Sequence, residues 1–294
     1  ASMLVSLAAI MAGNLWGSIE LLMTQAETPH FMQMHSGELD MDPLLEFAAR
    51  QENVESFQVL SFLNLDNSRI RLGERFLTGS VTDNGISVQS QDFDYLLDLD
   101  GQVISPGAGE LYIPISYGRD GGARVGDSAW ICGREFVIAG YLRDSQMNST
   151  LSSSKRFLVS DVDFQALKRE GAMEYLIEFR VKDIKGLGEL ETAYTAAGLP
   201  SNGPAVTYPL FKLMNAISDG LMIGVILLVC ALVTAIAFLC IRFTLLTKIE
   251  EDYKEIGVMK AIGFRIGWMK RLYLARYAAI GLLGGCLGLA LSLF

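Results

Sequence analysis

Residues able to do chemistry are few in this sequence, and they do not converge. Histidine occurs only at His30 and His35. Five residues apart on an extended segment, the two would point to opposite faces, which argues against a shared metal ion. Met32 and Met34 would share one face, with Met41 nearby, a thioether set of the kind that suits copper. Ordinary packing of methionine in a core is the simpler expectation. The cysteines, Cys132, Cys230, Cys240 and Cys286, form no CxxC pair, so neither a disulfide framework nor a zinc site is indicated. Carboxylates are plentiful, but none stands out as an acid/base pair. No Ser/His/Asp arrangement can be assembled, and no glycine-rich Walker loop is present to cradle the phosphates of ATP. The expectation is a chain with no catalytic residue, no metal and no cofactor of its own.

The charges say more, because they are unevenly distributed. The net charge of −9 argues against nucleic acid as a partner, since binding it needs a basic face. Between Gln25 and Asn215 there are 27 acidic and 16 basic residues; between Arg242 and Arg276 there are 8 basic and 4 acidic. An acidic domain is thus followed by a basic loop, with an apolar segment between them. The mean hydropathy of +0.32 is high for a soluble globular protein.

Three apolar segments must position these charges. Leu221 to Ile241 carries no charge over 21 residues, close to what a helix needs to cross the hydrocarbon core. Tyr277 to Phe294 is a second such run. In it, Gly284 and Gly288 make a small-xxx-small face that would let helix backbones approach closely in lipid. Residues 1–19 are apolar and lack the basic stretch of a signal peptide, and Trp16 suits a membrane interface. They read as the outer part of a membrane helix, and the chain is expected to be truncated at both ends. The positive-inside rule places Lys248, Lys254, Lys260, Arg265, Lys270, Arg271 and Arg276 in the cytoplasm. Residues 25–213 would then lie outside a bacterial inner membrane, a face that suits an acidic domain nearly free of cysteine.

The outer domain reads as α+β. Strands are expected at Phe31 to Met34, Val54 to Leu65, Glu110 to Tyr117, Phe157 to Ser160 and Tyr175 to Val181. Helices are expected at Pro43 to Arg50 with Asp42 as N-cap, at Val162 to Glu170 and at Leu187 to Ala197. Ser128 to Cys132 and Glu135 to Tyr141 suggest a hairpin turning at Gly133-Arg134. Ser145 to Lys155 is polar and suggests a mobile loop. The return of β-α-β units after a strand-rich insert suggests two lobes.

Leu210, Phe211, Met214, Ile217 and Leu221 recur at helical spacing, so the second membrane helix is expected to begin outside the membrane and enter it without a break. After the membrane, Ile241 to Ala261 continues as a charged helix, with Glu250 and Glu251 placed to pair with Lys254. Gly263 is a C-cap candidate. Ile266 to Leu274 resumes a helical pattern, with Trp268 and Met269 beside Lys270 and Arg271, an amphipathic element for lipid headgroups or a partner's groove.

The segment Lys254-Glu255-Ile256-Gly257-Val258-Met259-Lys260-Ala261-Ile262-Gly263-Phe264, followed by Arg276-Tyr277 and a glycine-rich apolar helix, resembles the signature of FtsX/MacB-like ABC transporter permeases. The order of parts is similar as well. The resemblance implies a membrane subunit that pairs with an ABC ATPase, binds no ATP itself and moves its outer domain. Lys254, Glu255, Gly257, Lys260, Ala261 and Gly263 would shape the coupling segment. Partners would be the ATPase, membrane lipids, a second permease copy or homologue, and an unidentified outer cargo or protein. The implied organisation is a partial first membrane helix (1–24), a two-lobed, MacB-like α+β domain (25–213), a stalk and second helix (214–246), a coupling segment (247–271) and a third helix (272–294). Export of, or resistance to, peptides or lipid-linked molecules leads the expected roles. Control of a cell-wall hydrolase, lipoprotein release, a sensing receptor and a membrane-anchored enzyme are the rivals.

Overall fold

A computed structural model describes residues 2–119, 122–149, 152–263 and 266–292. The chain forms two compact units, one of Ser18–Ser218 and one of Ala1–Gly17 with Asp219–Phe294. In chain order the elements are α1 (Ser2–Gln25), β1 (Phe31–Ser36), α2 (Asp42–Arg50), β2 (Val54–Leu65), β3 (Ile70–Leu72), β4 (Arg75–Phe76), β5 (Asp83–Ser87) and β6 (Glu110–Pro114). There follow α3 (Ile115–Arg119), β7 (Ser128–Ile131), β8 (Arg134–Leu142), β9 (Ser154–Leu158), α4 (Asp161–Leu167), β10 (Ala172–Val181), α5 (Leu187–Ala196) and β11 (Ala205–Thr207). The last three are α6 (Tyr208–Glu251), α7 (Tyr253–Ala261) and α8 (Ile266–Ser292).

The α+β unit is built on one continuous sheet of order β11-β1-β10-β2-β5-β9-β6-β8-β7-β3-β4. Most neighbours are antiparallel; β5–β9 and β6–β8 are parallel. The two lobes share this sheet but have separate apolar cores. In one, α2 and α5 cover β1 and β10, and the rings of Phe31, Phe47, Phe179 and Tyr194 meet mostly edge to face, as aromatic quadrupoles favour. In the other, Leu63, Ile86, Ile113, Ile138 and Phe157 pack with Phe164 and Leu167 of α4. Gly85 makes a close contact possible at the joint between lobes: a Cβ there would stand 2.2 Å from the buried ring of Phe62.

Several local expectations shift by a residue or more. Asp42 is the first residue of α2 and Met41 its N-cap, with no side-chain cap bond. The run from Glu110 splits, ending as a strand at Pro114 and continuing as α3. The β7–β8 hairpin turns at Cys132-Gly133, both with positive φ (51° and 81°), as a two-residue hairpin of type I′ requires. Ser145 to Lys155 is not a loop free in solvent. Ser145 and Gln146 are buried, and Lys155 is a buried residue of β9. Thr150 and Leu151 of that stretch lie outside the described residues.

In the other unit, α6 exposes Val225, Val233, Ile241, Phe238 and Leu228, which at about 100° per residue stand around its whole circumference. A helix apolar all round has no water-facing side to offer. Among the described residues, Val5–Gln25 and Ile223–Glu251 are long and apolar enough to cross a membrane, and Gly281–Leu291 is a shorter apolar stretch. α6 runs unbroken for 44 residues from Tyr208, so its start belongs to the α+β unit.

Candidate functional site

The coupling segment forms a short helix set between two apolar ones. α6 stops at Glu251, and α7 carries Lys254, Glu255, Gly257, Lys260 and Ala261. The chain leaves α7 at Gly263, whose φ of +95° is the left-handed conformation that closes a helix. Glu251 pairs with Lys248 at 2.6 Å, one turn back, instead of reaching forward to Lys254, because the helix breaks at Asp252 between them. Lys254, Gly257, Ala261 and Gly263 are exposed. A Cβ built on Gly257 or on Gly263 would meet no described atom within 4 Å. The side chains of Glu255, Lys260, Trp268, Met269 and Lys270, and the residues Phe264 and Arg265, lie outside the described residues. Gly284 and Gly288 both fall on α8; Gly284 is exposed and Gly288 half-buried.

A second constellation, with no counterpart among the sequence expectations, lies inside the α+β unit. Arg156, in the middle of β9, is 1 % exposed. Its Nη1 donates to Asp94 Oδ2 at 2.5 Å; its Nε and Nη2 donate to the two oxygens of Asp144 at 2.6 and 2.7 Å. Asp94 and Asp144 are equally buried. Burial alone would lower the Arg156 pKa, but the Asp144 and Asp94 charges and their hydrogen bonds outweigh it and hold the guanidinium firmly charged. Burial pushes the Asp144 carboxyl up; Arg156 and the backbone N–H groups of Met147 and Gln146 more than reverse this, so it lies below its usual value.

Glu178 of β10 completes the cluster. It stands opposite Gln58 in the β2–β10 register and accepts from Gln58 Nε2 at 2.8 Å and Gln146 Nε2 at 2.6 Å. Burial, and then repulsion from Asp94, push its pKa well above the ordinary carboxylate range. As a neutral acid, Glu178 would donate to Gln146 once that amide is turned over, which would also give the Gln146 oxygen the partner it otherwise lacks. With Glu178 protonated, the buried charges balance as Arg156 and Lys155 against Asp94 and Asp144.

The cluster touches the bases of both long helices. The carbonyls of Ala26 and Glu27, just past α1, accept from the backbone N–H groups of Tyr95 and Asp94 at 2.7 and 3.2 Å. Leu22 and Ala26 pack against Leu97, and Leu97 bridges to Arg143 beside Asp144. On the other side, Asn215 of α6 donates from Nδ2 to the Ser145 carbonyl at 3.0 Å, and Ser149 Oγ donates to the Met214 carbonyl at 2.8 Å. Lys155 Nζ fastens the intervening turn by donating to the carbonyls of Met147 and Ser149 at 2.5 and 2.6 Å. At the surface, Lys212 of α6 pairs with Glu20 of α1, and Arg180 pairs with Glu27 at 2.6 Å.

His30 and His35 are both accounted for locally. His30 Nδ1 accepts from the Val181 N–H at 2.8 Å, and His35 Nε2 lies 3.1 Å from the Glu38 carbonyl. Burial, with help from the Arg180 charge, lowers the His30 pKa. Met32 and Met34 are buried in the sheet while Met41 is exposed. Among the described residues no group of three or more His, Cys, Asp or Glu is placed to hold a metal ion. Nothing in the order of residues marks Asp94, Asp144, Arg156 and Glu178 as a set, since four distant segments supply them. The one local signal is the Lys155-Arg156 pair inside β9, followed by the apolar run Phe157-Leu158-Val159.

No curated protein matches the chain significantly. Among solved structures, the chain is similar to the extracellular domain of the noncanonic ABC-type transporter YknZ from Gram-positive bacteria, at 12% identity, covering 60% of this chain and 98% of that one with a TM-score of 0.32. Residues 221–294, which hold most of α6 and all of α7 and α8, match the family model of the FtsX-like permease C-terminal domain. α7 and its Gly263 stop, set between the apolar helices α6 and α8, fall within the residues that match this family model.

Proposed function

We propose that the chain is the non-catalytic membrane subunit of an ABC transporter, one that converts ATP hydrolysis on a partner ATPase into movement of its α+β domain. The observation that carries this reading is α7. It is a short charged helix between apolar helices, inside the region that matches the family. Gly257 adds support. Glycine inside an exposed helix costs about 1 kcal/mol relative to alanine. No described atom within 4 Å of Gly257 accounts for it, so the open space suits the close approach of another chain. Lys254, Glu255, Lys260, Ala261 and Gly263 shape the rest of the docking segment.

In this reading α7 faces the cytoplasm of a bacterial inner membrane and the α+β domain stands outside, with several membrane helices per subunit. Gly284 and Gly288 of α8 pack against another helix, within the subunit or from a second permease copy. The outer domain engages a peptide or lipid-linked molecule for export or resistance. ATPase closure shifts the permease between two states because it interacts differently with each, the minimum any such switch requires.

The test is a pull-down of the intact permease with its candidate ATPase, comparing the natural chain with Glu255→Ala and Gly257→Leu. Stable binding, with ATPase activity that depends on the permease and drops in both variants, is the expected result. An intact permease that binds no ATPase would overturn the reading and favour a receptor with a sensing outer domain.

A further inference from the structure

The α+β unit is attached to α1 and α6 at two separate places. One is the segment after α1, where Ala26 and Glu27 bond to Asp94 and Tyr95. The other is the turn of residues 144–149, which bonds to Met214 and Asn215 of α6. Each attachment carries one buried carboxylate, Asp94 in the first and Asp144 in the second, and both carboxylates are bound by the guanidinium of Arg156. We infer that Arg156 is the positioning residue that locks the bases of α1 and α6 into a single joint with the sheet. This deepens the proposed function and rests on it: the joint is where helix movement would be handed to the outer domain.

Three features make the geometry suited to that task. Arginine presents a flat fork of donors, so it can hold Asp144 through two nitrogens and still reach Asp94; lysine has no such fork. Burial removes the screening that weakens ion pairs at a surface, so pulling either carboxylate away leaves an uncompensated charge in an apolar interior. The joint is therefore stiff against small displacements. Arg156 is also fixed in β9, whose parallel neighbour β5 and antiparallel neighbour β6 lie in the middle of the sheet. A load arriving from either helix base reaches the sheet at its centre, not at an edge. A buried ion cluster kept only for stability would have no need to bond to both helix bases. Asn215 in particular is a polar side chain, 6 % exposed, whose amide is directed at the Ser145 carbonyl and its own helix.

The test uses the intact permease with its partner ATPase, in lipid nanodiscs, with the four native cysteines changed to serine. A dye at Val81→Cys, a fully exposed position between β4 and β5, reports energy transfer to labelled lipid headgroups and so the movement of the domain relative to the membrane. Two variants are compared. Arg156→Met removes the joint. Asn215→Leu combined with Ser149→Ala keeps Asp94, Asp144 and Arg156 and removes the side-chain bonds between the turn and α6, so it keeps the test decisive if the first variant does not fold. Expected in the natural chain is an ATP-dependent change in transfer. Expected in the Asn215/Ser149 variant is hydrolysis close to natural, with the movement obtained per ATP hydrolysed reduced by at least about five-fold. If both variants keep the full change, the joint is not Arg156, and the proposed function stands without it. If movement and hydrolysis fall together in the Asn215/Ser149 variant, the cluster is a structural element only and the inference fails. If the natural chain itself shows no ATP-dependent change, the proposed function is wrong and the inference falls with it.

Discussion

The bases of α1 and α6 are held by two kinds of ion pair, and the contrast between them shows what burial does to one and the same chemistry. Outside, Glu20–Lys212 and Glu27–Arg180 join long side chains that are each at least one fifth exposed. Water and salt screen such pairs, and ordering two flexible side chains offsets most of the attraction. Inside, Asp94–Arg156–Asp144 is cut off from solvent and braced by further hydrogen bonds from Met147 and Gln146 to Asp144. There desolvation is costly, but so is every partial opening. The outer pairs tie side chains at the surface; the inner cluster ties Asp94 and Asp144, whose segments bond to the ends of α1 and α6, to β9.

The sharpest break of that contrast is Arg156→Met, which strands two carboxylates in the interior. Thermal and denaturant melts of the purified chain should show a loss of about 3–5 kcal/mol. A loss no larger than that of a surface pair would abolish the distinction. Lys155→Met comes next. It leaves the Met147 and Ser149 carbonyls without their charged donor, and the expected cost in the same melts is about 1–3 kcal/mol.

Glu178→Gln refines the picture through pH. The folded-state pKa of Glu178 is raised, so above the ordinary carboxylate range the native state keeps a proton that the unfolded chain has released. Stability from this group is therefore lost as pH rises through that window. An amide at this position removes the penalty while keeping the shape. Melts at about pH 5 and about pH 8 should show the variant gaining on the natural chain at the higher pH. A pH-independent difference would mean that Glu178 is ionised in the fold. The smallest effect belongs to Lys212→Ala, whose cost should stay under about 1 kcal/mol and shrink further in high salt. A larger, salt-insensitive loss would show the surface pair acting like the buried one.

Much of this was open to a reading of the residues. The strand Val54–Leu65 stands where its aromatic and branched residues put it, and Leu187–Ala196 is helical within a residue of expectation. The apolar run after Leu221 and the glycine at position 263 mark a membrane helix and a helix stop from composition and backbone preference alone. These are local properties, set by residues within a few positions of one another. The stretch Ser145–Lys155 shows the limit. Its polar composition reads as a solvent loop, yet Ser145, Gln146 and Lys155 are buried because the fold brings Glu178 to Gln146, Asn215 to the Ser145 carbonyl and the Ser149 carbonyl to Lys155.

By itself the sequence determined the apolar helices, the charged segment between them and most strands, because chain periodicity, charge and glycine conformation act at short range. Only the tertiary structure decided that Asp94, Asp144, Arg156 and Glu178 form one cluster. A buried charge is tolerable only when its partners arrive from elsewhere in the chain, and their arrival is fixed by strand order and register, which no local pattern encodes.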